Sequence, residues 1–350
     1  MARRRARRKW QCRRAKRRVD GHWQLVGIPA SIGAMDRRTV LGVIAAALAP
    51  VPVSARAAYP GVARLATLEA QSGGRLGAMV VNTQTGASFG WRQTERFTHC
   101  STFKLSLAAM ILAQIDAGHA RGDDVLPFSV LDVLPASPVT EPVATKVAAD
   151  EKLAGTEGMP VFALMQAALE RSDNLAANTL LARFGGPAAL TAFWRMTGDT
   201  ESRLDHNEPE LNKVGPGAVH DTTTPAAMAA TVARLLTGDI LSGDSRARLW
   251  AWMKASPTGK NRLRAGLPAN WQAGDKTGTW FGAGAVTKIN DLALALPTAD
   301  NHHFHAPLAI TAYYEAPTRT GQATDDIRPA DEAVLAAVMR VATDPGAWRR

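Results

Sequence analysis

Cysteine is nearly missing: Cys12 and Cys100 are the only two in 350 residues. Two thiols cannot build a disulfide framework. Long hydrophobic runs are missing too. The one extended apolar stretch, Val40 to Val53, falls short of the roughly 20 residues that cross a bilayer, so no stable membrane anchor is expected. No internal repeat appears, which argues against solenoids and propellers. Acidic residues are scarce in one place only. Residues 1–57 hold 14 of the 41 Lys+Arg but just Asp20 and Asp36, while the remainder carries 27 basic and 29 acidic residues. The formal charge of +10 is therefore a property of one end. The body of the chain has no general attraction for phosphate backbones, and no nucleic-acid partner is expected.

The basic end explains itself as targeting. Met35 opens Asp36-Arg37-Arg38-Thr39-Val40-Leu41, the apolar run follows, and Ala55-Arg56-Ala57 closes it. A charged start, a short apolar core and a small-x-small end read as an export signal over residues 35–57, cut after about Ala57. The paired arginines point to the twin-arginine route. Residues 1–34 are then either an unusual basic extension of the signal or a stretch upstream of the true start at Met35, and the second reading is favoured. The exported product, periplasmic or secreted, would begin near residue 58 and keep Cys100 alone. With 46% hydrophobic residues and 9 Trp, it can bury a core large enough to manage without disulfides.

Periodicity and punctuation predict a helix over Pro60–Gln71 and a hairpin of Arg75–Val81 with Ala87–Trp91. Helices follow over Thr102–Ile115, Pro160–Glu170, Leu175–Phe184, Pro187–Met196 and Pro225–Leu236, most of them closed by glycine. Strands return at Trp271–Lys276, Lys288–Leu296 and Pro307–Glu315 before a last helix over Ala330–Ala342. Strands at both ends around an all-helical middle imply one sheet built from both termini, with the helical block inserted as a second lobe. A cleft between the lobes is the natural site.

Three short motifs sit on that frame. Ser101-Thr102-Phe103-Lys104 opens an apolar helix, and a spacing of three puts hydroxyl and ammonium one turn apart on one face. Alone, it reads more readily as a helix cap followed by a surface lysine. Ser172-Asp173-Asn174 lies between two helices, where a capping turn is the plain reading. Lys276-Thr277-Gly278 ends an apolar strand, where a stop at a turn would suffice. Each occurs once, in that order, on helix, loop and strand. A fourth segment, Glu208-Pro209-Glu210-Leu211-Asn212, falls in an aperiodic stretch from Arg203 to Asp221 with Pro209, Gly215, Pro216 and Gly217, which reads as a compact Ω-loop.

Together these motifs resemble the class A serine β-lactamases, over essentially residues 60–345. The resemblance implies an α+β fold of two lobes: an antiparallel sheet covered by helices, about 58–98 and 256–350, plus an inserted helical lobe, about 99–255. It implies hydrolysis of the β-lactam amide through an acyl-serine on Ser101, with Lys104 beside it. It also implies Ser172 as proton relay, Glu208 and Asn212 around the deacylating water with a cis peptide before Pro209, and an oxyanion hole of the Ser101 and Thr279 backbone N–H groups. Asn174, Arg262, Lys276, Thr277, Gly278 and Thr279 would bind substrate. A β-lactam is the expected partner of a monomer with no cofactor and no metal; the His302, His303 and His305 turn reads as a solvated loop. A penicillin-binding transpeptidase or a β-lactam sensor would share three motifs and lack the Ω-loop base.

Several residues depart from the family. The Ser101-to-Ser172 spacing of 71 residues exceeds the family's usual one and places an insertion between Val139 and Gly158. His206 stands where an arginine usually pairs with the aspartate at Asp221, so a pH-dependent partner replaces a permanent cation. A looser loop that tolerates bulky cephalosporins is expected. Ala136 takes the place of an aromatic cleft-edge residue. Cys100 precedes the nucleophile, as in carbapenem-hydrolysing members, but has no cysteine to bridge.

Overall fold

Proline sets where several helices begin. Pro60, Pro225 and Pro329 stand in a first helical turn, where the missing N–H would have no intrahelical partner. The computed structural model describes residues 59–153, 158–282, 286–298, 301, 303–318 and 327–349. In it α1 (Pro60–Ser72) leads into the hairpin β1 (Arg75–Asn82) and β2 (Ser88–Trp91). Then come β3 (Phe97–Thr98), a 3-10 turn at Cys100–Thr102 and α2 (Phe103–Asp116). The middle holds β4 (Val125–Leu126), α3 (Thr140–Ala148), β5 (Met159–Pro160), α4 (Val161–Glu170), α5 (Asn174–Arg183) and α6 (Gly186–Met196). It continues with β6 (Thr222–Thr223), α7 (Pro225–Thr237) and α8 (Gly243–Ala255). Strands β7 (Gln272–Trp280), β8 (Thr287–Leu296) and β9 (Leu308–Ala316) follow, and then α9 (Pro329–Thr343).

Five strands make one antiparallel sheet in the order β2-β1-β9-β8-β7. The two ends of the chain meet where β1 pairs with β9, and β7 is left at an edge. Alternation along each strand decides what each face buries. Leu76, Ala78 and Val80 of β1, with Ile310, Ala312 and Tyr314 of β9, pack with Leu335, Val338 and Met339 of α9. Leu292, Leu294, Ala309 and Tyr313 join the other core, with Phe103, Leu107 and Ile111 of α2 and Met228 and Val232 of α7. Every residue from Phe103 to Leu112 is buried, so α2 runs through the interior of its lobe. Each large apolar side chain buried there contributes roughly 1.5–3 kcal/mol. That burial fixes the helix on which Lys104 rides.

The structure corrects the sequence reading in four places. The helical middle is not purely helical: β3 pairs with β6 and β4 with β5 in two-residue ladders. Helix α7 lies on the sheet rather than apart from it, with Thr311 Oγ1 donating to the Pro225 carbonyl at 3.0 Å. Lys276-Thr277-Gly278 lies inside β7, which continues to Trp280. Two helices were not foreseen. In α8 only Ser245, Leu249, Trp252 and Met253 are buried among charged neighbours, which dilutes its periodicity. The segment read as an insertion forms α3 and a 3-10 turn at Glu151–Leu153. The export signal, the basic extension, Cys12 and His302 lie outside the described residues. No described helix is long and apolar enough to cross a membrane.

Candidate active site

Ser101 sits in the 3-10 turn directly before α2, after Cys100, a buried free thiol held at φ 46°. The capping alternative does not hold. Thr102 occupies the cap position of α2 and makes no side-chain cap bond, while the Ser101 hydroxyl donates to Glu208 Oε1 at 3.1 Å. Lys104, one turn on, donates from Nζ to Ser101 Oγ at 2.9 Å. Strand β7 passes close beside this turn, and Gly278 makes the approach possible. A Cβ there would lie 2.9–3.1 Å from the His99 carbonyl, Cys100 Cβ and the Ser101 nitrogen.

Asp173 organises the opposite wall. Its carboxylate caps α5 by accepting from the Ala176 N–H, and it also accepts from the N–H groups of Val139 and Thr140 and from the Thr140 hydroxyl. Ser172 is thereby left at φ 59°, with Oγ accepting from Lys276 Nζ at 3.0 Å. Lys104 Nζ also donates to the Ser172 carbonyl at 2.8 Å and to Asn174 Oδ1 at 2.6 Å. Asn174 Nδ2 donates to the Pro135 carbonyl, and its N–H to that of Ala136, an exposed residue at φ 58°. Both lysines are fully buried. Burial pushes each ammonium below its ordinary range; Glu208 opposes the shift at Lys104, and the neighbouring Lys104 charge adds to it at Lys276.

The stretch from Arg203 to Asp221 carries one short 3-10 turn, Glu210–Asn212, and a cis Glu208–Pro209 peptide. Glu208 is buried, with Oε1 3.1 Å from Lys104 Nζ and Oε2 accepting from Asn212 Nδ2 at 2.7 Å. Asn212 Oδ1 is buried without a protein partner. Two residues that the sequence reading missed hold this pair. Asn178 on α5 brackets the Glu208 backbone, accepting from its N–H at 3.0 Å and donating to its carbonyl at 2.8 Å. Lys288 on β8 donates to Thr98 Oγ1 at 2.8 Å and to the carbonyls of Asn212 and Val214 at 3.1 and 3.2 Å. A buried-strand lysine ahead of the apolar run Leu292–Leu296 and an asparagine inside a helix were the available signals.

At the loop's neck the expected pairing of His206 with Asp221 is present, Nδ1 to Oδ2 at 2.6 Å. His220, not foreseen, brings its own Nδ1 to the same oxygen at 3.1 Å. Arg262 departs from expectation. It is buried behind β7 and donates to the carbonyls of Gly278 and Asn290, to Thr279 Oγ1 at 2.6 Å and to Glu332 Oε1. Its fork is spent on the strand and reaches the cleft only through the Thr279 hydroxyl. Thr277 Oγ1 pairs with Thr258 Oγ1 at 2.8 Å.

Known proteins resemble this chain in sequence and fold. The sequence profile of the β-lactamase enzyme family matches residues 62–303. A β-lactamase of Citrobacter koseri is 39% identical over 281 residues, 80% of this chain and 86% of that protein. The carbapenem-hydrolysing β-lactamase KPC of Klebsiella oxytoca is 38% identical, covering 80% of this chain and 86% of that protein. Among solved structures, an ancestral (GNCA) class A β-lactamase is 45% identical with a TM-score of 0.69, covering 80% of this chain and 98% of that one. A β-lactamase from Xanthomonas campestris is 40% identical at the same TM-score, covering 80% of this chain and 94% of that one. With a single site where serine, two buried lysines and a loop carboxylate converge, and relatives of this identity over most of its length, the chain belongs to the class A β-lactamases, enzymes that hydrolyse β-lactams.

Proposed function

We propose that hydrolysis runs through an acyl-serine on Ser101 that water, activated by Glu208, releases. The observation carrying this reading is the position of Glu208 Oε1, 3.1 Å from both Ser101 Oγ and Lys104 Nζ. One carboxylate there lies within reach of both halves of the reaction. Ser101 Oγ attacks the lactam carbonyl carbon, and its proton leaves either to neutral Lys104 or through water to Glu208. The carbon–nitrogen bond then breaks, and Ser172, fed by Lys276, protonates the departing nitrogen. Water held between Glu208 and the unpaired Asn212 Oδ1 attacks the ester, Glu208 takes its proton, and the proton passes directly or through Lys104 to Ser101 Oγ as the ester carbon–oxygen bond breaks. The Ser101 and Thr279 N–H groups hold the oxyanion in both steps; losing one such donor typically costs about 10²–10³ in rate.

Lys276, Thr277 and Thr279 meet the substrate carboxylate, with Arg262 acting behind Thr279 as a positioning residue and Gly278 giving room. Asn174 receives the amide of the acyl side chain. Residues 35–57 direct export by the twin-arginine route to the periplasm or beyond, the enzyme begins near residue 58, and it works as a monomer whose chemistry uses neither cofactor nor metal. Mixing the purified full chain with a chromogenic cephalosporin tests the reading. Steady turnover many times the enzyme concentration is expected. A single stoichiometric burst would instead mark a transpeptidase or sensor.

A further inference from the structure

Outside the catalytic centre, one group of described side chains gathers the donors of a metal site. His206, His220 and Asp221 converge at the neck of the Ω-loop, their ligand atoms within 4.8 Å of one another. We propose that this neck binds one Zn²⁺ through His206 Nδ1, His220 Nδ1 and Asp221 Oδ2.

A plain His–Asp clamp needs one imidazole. Here two present the same ring nitrogen to one carboxylate oxygen, at 2.6 and 3.1 Å, with ring planes 81° apart. The carboxylate is already oriented as a ligand should be. Asp221 is fully buried, and its other oxygen accepts from the N–H groups of Asp205 and His206 at 2.7 and 2.9 Å. The imidazoles have room to adjust and leave space for water, with side-chain exposures of 50% for His206 and 38% for His220. Tetrahedral zinc at about 2.0–2.1 Å from nitrogen and oxygen sets its ligands roughly 3.3 Å apart. A small swing of the half-exposed His206 ring opens its pair to that distance. Two neutral imidazoles and one carboxylate match the ligand preference of zinc rather than that of magnesium or calcium. Bound there, the ion ties the residue that enters the loop to the two that leave it.

Isothermal titration of the full chain, stripped with EDTA and titrated with ZnCl₂, tests this. One saturable equivalent is expected, with no binding of Mg²⁺. His220→Ala and His206→Arg should each weaken binding at least about tenfold, since losing even an outer-shell partner of a ligand typically costs about that much. His206→Arg keeps a cation opposite Asp221, so its thermal midpoint should not fall; that separates loss of a ligand from loss of the fold. Zn²⁺ should also slow amide exchange over residues 207–219 in the parent and in neither variant. Absence of saturable binding, or binding unchanged in both variants, as from zinc held at His303 and His305, would overturn the proposal.

Discussion

The two anchorages of the Ω-loop are built from opposite kinds of bond. On the side of Glu208 and Asn212, a half-buried amide, Asn178, brackets the Glu208 backbone, and a largely buried ammonium, Lys288, donates to the Asn212 and Val214 carbonyls and to the Thr98 hydroxyl. At its neck, the tie is a pair of partly exposed imidazoles on one carboxylate. Buried bonds to backbone are expensive to break, because the groups left behind have no water to replace the lost partner. Exposed bonds to histidine yield to solvent and protons. The Glu208–Asn212 pair is thus tied independently of the loop's entrance and exit.

Lys288→Met should separate the two sides most strongly. It leaves three acceptors without their donor, and a cost of about 1–3 kcal/mol in stability is expected for groups that stay buried. Because the Asn212 carbonyl is among them, deacylation should slow about tenfold or more while acylation holds. Rapid-quench kinetics with a penicillin reads both steps; equal slowing would mean that Lys288 supports the fold alone. Asn178→Ala comes next. It should cost about 1 kcal/mol per lost hydrogen bond and lower kcat more than it changes KM. An unchanged kcat would remove Asn178 from the loop's support.

His206→Arg acts at the neck and should have a smaller, opposite effect. A permanent fork cation facing Asp221 tightens the loop, so amide exchange over residues 207–219 should slow and kcat/KM for bulky cephalosporins should fall a few-fold. Unaltered exchange would show that the histidine already clamps as firmly. The smallest effect is one of pH, in EDTA. The hydrogen bond to Asp221 raises the His206 pKa above 6.5, with Asp205 and Glu210 adding to it; His220 faces the same oxygen. A folded pKa above the unfolded one means that the clamp is complete below about 6.5 and is lost as pH rises through the raised value. Loop exchange, corrected for its intrinsic pH dependence, should therefore accelerate on that rise, and His206→Arg should abolish the excess.

What was legible in the sequence follows the same division between local and distant. The alternation of β1, β8 and β9, and the helices that begin at proline, depend on neighbours a few residues away. So do the Ser101–Lys104 spacing and the Asp173 cap. The bonds that position Glu208 join residues far apart in the chain, and nothing local to Asn178 or Lys288 announces a partner. Arg262 shows the limit in another way. Its residue type suits a carboxylate, but only the path of β7 decides that its fork faces the strand and Glu332 rather than the cleft. His220 was missed because His206 alone satisfied the pairing sought for Asp221.

Intact-mass spectrometry of the Glu208→Ala chain mixed with a penicillin tests the central claim most directly. One persistent equivalent of adduct is expected, carried on the peptide containing Ser101, while the parent enzyme returns to its free mass and leaves hydrolysed product. Turnover at the parent rate without Glu208, or an adduct on any residue other than Ser101, would contradict it.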